Sequence, residues 1–260
     1  MKVELNLTTP PDQCSYLPDR ESQTEFDMVS EMSAMEYQER LLAGWRHFGR
    51  HVFRPACSDC KECKSLRIPV RKFKPNRSQK RNQKLNREQV QLVITKPFLS
   101  DDVIELHDRF HIERAQKRGW DFKEPNDRFN YTIGFLDNPF EIEQWNYFLE
   151  GKLVGVGYVD ALECGLSAIY FFHDTDHSKL GLGIWNVLRL IQECKKRKLP
   201  HLYLGYYVKG CQSLEYKASF QPTEVLRPRE IGKTLQAKIS VALRSFHTIQ
   251  KVQKLEFVIA

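Results

Sequence analysis

No run in this 260-residue chain comes near the roughly 18 consecutive apolar residues that a membrane helix needs. A membrane partner is therefore not expected. The opening stretch, MKVELNLTTPPDQCSYLP, has neither a basic n-region nor an apolar h-region, so no secretory leader is read there and the cytoplasm is the expected compartment. Acidic residues are absent from positions 64–87, which carry ten Lys or Arg. The net charge of the whole chain is only +7, so the rest is slightly acidic once that segment is set aside. The seven cysteines are an odd number, four of them in the first quarter, which argues against a disulfide framework. Long disorder is excluded too, because 41% of the residues are hydrophobic.

What is present begins with FRPACSDCKECKSLRIPVRKFKPNRSQKRNQKLNR, residues 53–87. Cys57, Cys60 and Cys63 stand at two-residue gaps, and three thiolates so spaced need a fourth ligand, for which Cys14 is the candidate. Zinc and an iron–sulfur cluster both accept four thiolates; reduced loop cysteines are the plainer alternative. Arg77, Lys80, Arg81 and Lys84 follow at helical spacing and form a face able to neutralise phosphates without reading bases. Such a run is more often solvated surface, but no acid compensates it across the segment. RNA contact is the expectation.

Periodicity predicts a helix over Ser33–Phe48, a strand over 65–73, a basic helix over Ser78–Arg87, a strand over 89–96 and a helix over Ser100–Arg118. Trp120–Asn130 reads as a polar loop. Two strands, Ile142–Leu149 and Leu153–Ala161, flank a Glu150-Gly151 turn, and Leu166–Phe172 is a third. A glycine loop, a helix over Ile184–Lys195, a strand over 201–208, a short helix over 213–220 and a strand over 223–227 complete the pattern. That order predicts an α+β chain with a GNAT-like acyltransferase fold, with a duplicated GNAT arrangement as the alternative because the first half repeats the alternation. The last thirty residues yield no assignment.

The glycine loop, Ser178 through Gly181 and Gly183, opens a helix whose free amides make an anion site. GNAT acetyltransferases place Gln or Arg three residues before the first glycine; here it is Ser178, which argues against acyl-CoA, while an RNA phosphate or terminal ribose could use the same amides and a simple tight turn is the plainer alternative. YFFHD (170–174) and YLGYY (203–207) fall on strands beside the loop. Their aromatics read first as core, whereas Asp174 at a strand end is a candidate base, and Tyr206 and Tyr207 are candidate donors to a developing oxyanion. His173 and His177 are candidate proton relays, with a structural role as the plainer reading.

CSYLPDR, FRPAC with its cysteines, LRIPVRKFKPNRSQKRNQKLN, SAIYFFHD through SKLGLG, LYLGYY and YKASFQP occur in one order across roughly residues 14–228. Together they resemble the arginyl-tRNA–protein transferase family, and more closely its short bacterial branch that uses leucyl-tRNA, the aspartate/glutamate leucyltransferases. The resemblance implies an aminoacyltransferase that moves leucine from leucyl-tRNA to the N-terminal α-amine of proteins beginning with Asp or Glu, marking them for N-end-rule degradation. An arginyl donor is the variant within the family. It implies residues 1–130 as a cysteine-containing, basic tRNA-contacting region and residues 131–260 as the catalytic domain. No cofactor is implied for transfer, beyond a structural zinc or iron–sulfur cluster at Cys14, Cys57, Cys60 and Cys63. Tyr170, Ser178, Gly181, Gly183 and Lys217 are implied for substrate binding, with Lys217 of the matched YKASF motif preferred over Arg20 and Lys209 as reader of the acidic side chain. The rival readings are an acyl-CoA N-acetyltransferase and a non-catalytic, metal-dependent RNA-binding protein.

Overall fold

The computed structural model describes residues 1–120 and 124–227; the last thirty residues and part of the loop expected over Trp120–Asn130 lie outside them. The chain opens with β1 (Lys2–Thr8), a two-residue ladder of β2 (Asp12–Gln13) and β3 (Glu21–Ser22), then β4 (Thr24–Glu31) and α1 (Ala34–Leu42). β5 (Arg46–Phe48), β6 (His51–Pro55), β7 (Lys64–Pro69), α2 (Arg77–Asn86), β8 (Val90–Thr95) and α3 (Asp101–Arg118) follow, with a short α4 (Arg128–Tyr131). β9 (Glu143–Leu149), β10 (Lys152–Leu162), β11 (Gly165–His173), α5 (Leu182–Lys196), β12 (His201–Tyr207), α6 (Gln212–Glu215) and β13 (Glu224–Val225) complete it. None of the described helices is long and apolar enough to cross a membrane.

Local chemistry explains most boundaries. Ser33 and Glu36 cap α1 reciprocally, and Asn76 and Gln79 do the same for α2, so each helix start satisfies two otherwise orphaned amides. Ser100 caps α3 and Gly119 ends it in the left-handed region. The expected helix over Ser33–Phe48 stops at Leu42 instead. Gly44 turns the chain there at φ 90°, and residues 46–48 pair with β6 as a strand. Trp45 and Phe48 imitate helical spacing because both are core residues of that strand region.

β1, β4, β6 and β5 form a four-stranded antiparallel sheet in that order. The main sheet has seven strands in the order β13-β7-β12-β11-β10-β9-β8 and is mixed, since only the β11–β12 pair is parallel. This corrects the GNAT-like expectation in both its forms. Strands from both sides of residue 130 build one open sheet, and the rest of the first half forms an antiparallel sheet rather than a second copy of the fold. The first half does alternate strand and helix, but β7 and β8 find their partners in the second half, where their apolar faces are covered.

The period-2 pattern of β10 and β11 feeds two cores. Leu166, Ala168 and Phe171 pack with α5 residues Trp185, Leu188 and Ile191, whereas Val156, Tyr158 and Phe172 pack with α3 residues Val103, Leu106 and Phe110. A third cluster joins α1 to the four-stranded sheet around Tyr37, Leu41 and Trp45. Across it runs a buried ion pair, Arg40 Nη2 to Asp27 Oδ2 at 2.8 Å. Asp27→Ala is expected to lower stability by about 3–5 kcal/mol, because it leaves a buried cation without compensation. Urea unfolding checks this, and the double change Asp27→Leu with Arg40→Met is expected to cost much less.

Candidate functional site

The site arises where the only parallel pair of the main sheet fails. β11 and β12 are bonded over Gly165–Ser167 against His201–Tyr203 and pair no further, so the strands part along the rest of their length. The gap opens toward the start of α5 and holds a cavity of about 470 Å³. Its walls carry Tyr170, Gly181, Gly183, Tyr206 and Lys217 from the residues expected in sequence, together with Arg46. Asp174, Ser178 and Tyr207 do not line it.

Each wall has a definite chemistry. His111 Nδ1 lies 2.7 Å from the His107 carbonyl, which can only accept, so Nδ1 donates there and Nε2 is left to accept from the Tyr170 hydroxyl at 2.8 Å. The Tyr206 hydroxyl donates to the Gly44 carbonyl at 2.8 Å, and burial holds that phenol well above its ordinary range. Its backbone carbonyl accepts from Lys217 Nζ at 2.7 Å. Burial first, and then the Arg46 guanidinium, bring the Lys217 ammonium down to about 7, with Cys211 opposing in part. Among the described residues the cavity lining includes Arg46, Arg114 and Lys217 and not one Asp or Glu.

Asp174 sits at the end of β11. Burial would raise its carboxyl, but the Asp176 amide, the Arg109 guanidinium at 3.1 Å and His177 at 3.2 Å outweigh that and hold it below the usual carboxylate range. The carboxylate thus joins β11 to α3. His173, burial-lowered, lines the cavity, and His177 pairs with Asp174 outside it. Ser178 is exposed and Tyr207 half-buried.

The basic helix is physically part of the site. Arg77, Lys80, Arg81 and Lys84 are exposed on its outer face, and none has an ion-pair partner among the described residues. Its inner face is amide-rich. Asn82 donates to the Leu180 carbonyl at 2.8 Å and the Gly181 carbonyl at 3.2 Å, Asn86 donates to Leu180 at 2.8 Å, and Gln79 donates to Ser219 at 3.1 Å. One helix therefore clamps both the glycine loop and the Tyr216–Ser219 turn that carries Lys217. Gly181 is required there. Its φ is 57°, and a Cβ would stand 2.9 Å from Asn82 Nδ2.

The four cysteines lie beside the cavity. Burial and its neighbours Cys14, Cys57, Cys60 and Cys211 push the Cys63 thiol up to about 12. Tyr16, which lines the cavity, is raised by burial and by Cys63, Cys211 and Cys14. The fifth sulfur, Cys211, is brought in by the fold and is invisible in spacing. Among the described residues no group of three or more His, Cys, Asp or Glu is arranged to hold a metal ion. Arg20 stays outside the cavity, its Nη1 3.5 Å from Cys60 Sγ, and Lys209 is exposed.

The chain is similar to known proteins along most of its length. The chain is 38% identical over 230 residues to the aspartate/glutamate leucyltransferase of Campylobacter jejuni (strain 81-176), covering 86% of this chain and 94% of that protein. It is 37% identical over 222 residues to the enzyme of that name in Marinobacter nauticus (85% and 92% covered), and 36% identical over 219 residues to that of Pseudomonas fluorescens (84% and 92%). Similar solved structures include the C-terminal DUF2156 domain of a lysylphosphatidylglycerol synthetase from Agrobacterium fabrum, with TM-score 0.45, 9% identity and coverage of 65% of this chain and 61% of that one. Another is L-PGS from Bacillus licheniformis, at TM-score 0.44 and 13% identity, with 68% and 64% covered. Models of the arginine-tRNA-protein transferase N terminus and C terminus match residues 12–81 and 102–227, and with these relatives they establish that the chain belongs to the arginine-tRNA-protein transferase family.

Proposed function

We propose that the cleft between β11 and β12 is where the aminoacyl ester of leucyl-tRNA meets the α-amine of an acceptor protein. The enzyme is an aminoacyl-tRNA–protein transferase that places leucine on N-terminal Asp or Glu, which marks the acceptor for N-end-rule degradation. The observation that carries the site assignment is the clamp. A helix with four free cations outside is tied inside to both loops that wall the cavity, so phosphate binding on α2 delivers the 3′ end beside Lys217. The acyl-CoA and non-catalytic readings fall with family membership.

In this reading the acceptor amine, freed of its proton, attacks the ester carbonyl. A C–N bond forms, the bond to the ribose oxygen breaks, and the ribose hydroxyl leaves with a proton. Lys217, lowered to about 7 and held by the Tyr206 carbonyl, takes the proton that the attacking amine gives up and passes it to the departing ribose oxygen. The Gly181–Gly183 loop orients the ribose, and the cavity confines both reactants, which supplies rate by proximity. Separately charged leucyl- and arginyl-tRNA, offered with peptides beginning Asp, Glu, Gln or Ala, test the reading. Leucine is expected on the Asp and Glu peptides far faster than on the Gln and Ala peptides. Arginine on them would overturn the donor, and no transfer from either tRNA would overturn the reading.

A further inference from the structure

Two arginines are buried in the described structure, and they differ in one respect. Arg40 is paired with Asp27 at 2.8 Å. Arg46, only 7% exposed, has no carboxylate within 4 Å among the described residues; the buried Asp160, which faces Ser167 across the β10–β11 ladder, is bonded to His47 instead. Its Nη1 donates to Ser167 Oγ at 3.1 Å and its Nη2 to the Ala168 carbonyl, both neutral acceptors on β11 just where that strand leaves β12. A buried cation with no anion in contact is costly, and a ligand carboxylate would supply the missing contact.

The surroundings prepare that place for a flat, bidentate anion. Gly205, at φ 78°, lays its bare Cα against the guanidinium, with the position of a Cβ 3.6–3.7 Å from Nη2, Cζ and Nε. A Cβ there would only touch the group in ordinary van der Waals contact, and it is the positive φ that calls for glycine. Ser167 and the Ala168 carbonyl occupy two of the five N–H donors and fix the plane, leaving others of the fork to meet a carboxylate. Lys217 lies close enough to feel the guanidinium, and the cavity lining holds no acidic side chain.

We propose that Arg46 is the receptor for the side-chain carboxylate of the acceptor's N-terminal Asp or Glu, and so the residue that sets acceptor specificity. This takes over the reading role expected of Lys217 and leaves that lysine to the proton. It rests on the leucyl-transfer reading above, which transfer to a Glu peptide by the unaltered enzyme tests on its own. A tRNA phosphate is the other anion that reaches the cavity. Arg46 is assigned to the carboxylate because it is buried and planar, while the exposed cations of α2 face phosphate.

The test compares kcat/KM for Glu and Gln peptides of otherwise identical sequence, with the KM for leucyl-tRNA measured alongside. R46Q is expected to lower kcat/KM for the Glu peptide by about 10²–10³-fold, leave the Gln peptide little changed, and leave the leucyl-tRNA KM within about threefold. R46K retains the charge but loses the fork, so it should lose about 10-fold of the Glu-over-Gln preference, and it decides the matter if R46Q does not fold. An unchanged Glu/Gln ratio in R46K overturns the proposal. So does a loss that falls equally on both peptides, the mark of a merely structural arginine, or a raised leucyl-tRNA KM, the mark of a phosphate receptor.

Discussion

Changing Lys217 to methionine is expected to lower the transfer rate by about 10²–10³-fold and to remove one limb of its pH profile. In the unaltered enzyme a lysine at about 7 is mostly protonated below neutrality and mostly free above it. A proton acceptor must be free, so turnover should rise through pH 7 and level off above. The acceptor's own α-amine titrates near 8 and adds a second, later rise. In Lys217→Met only that later rise should remain, so the midpoint of the profile moves upward. Stability follows the same group with a definite sign. Its folded pKa lies below the ordinary 10.5, so between about 7 and 10.5 the unfolded chain binds more protons than the folded one. Over that window this lysine makes the fold gain stability as pH rises, and the variant loses that slope. A variant that keeps the limb at 7 would remove Lys217 from the mechanism.

Neutralising the outer face of α2 is expected to have the other large effect. With Arg77, Lys80, Arg81 and Lys84 all changed to Gln, affinity for leucyl-tRNA should fall on the order of 100-fold at physiological salt. The plot of log affinity against log salt should become shallower by about 3, since each lost phosphate contact removes about 0.7–0.9 from the slope. Filter binding across a salt series reads both quantities. Asn86→Leu separates binding from alignment. Asn86 is fully buried and donates to Leu180, so its loss loosens the clamp while all four cations stay. Turnover should fall at saturating leucyl-tRNA with the salt slope unchanged. Equal salt slopes in the unaltered enzyme and the four-fold variant would mean that α2 does not carry the tRNA.

Much of this molecule is legible in its amino-acid sequence because its boundaries are set by local chemistry. Ser33 and Ser100 announce their helices because capping depends on residues a turn apart, whereas α2, expected from Ser78, starts at Arg77 behind an Asn76 cap. Glu150 and Gly151, both at positive φ, announce the β9–β10 hairpin. Pairing between distant strands carries no such signal. Nothing in SLRIPV says that it will lie between β12 and β13, and that one placement replaces the expected GNAT-like arrangement with a sheet drawn from both halves. The site divides in the same way. Gly181, Gly183, Tyr170, Tyr206 and Lys217 stand in motifs and meet at the cavity, whereas Asp174 is drawn away by Arg109 and His177. Arg46 carries no sequence signal, because a lone arginine between Trp45 and His47 looks like helix surface. Its meaning appears only when β5 places it against Ser167 and Gly205.

The parting of β11 and β12 is expected to receive the acceptor's N-terminus. Photocrosslinking tests it most directly, using a peptide that begins with Asp and carries a photoreactive side chain at its second position, with labelled residues mapped by mass spectrometry. Labels are expected on the cavity wall, at Tyr216, Lys217 or the Gly181–Gly183 loop, suppressed by excess Glu peptide and not by Gln peptide. Labels confined to the four-stranded sheet, or labelling that Gln peptide suppresses equally well, would contradict it.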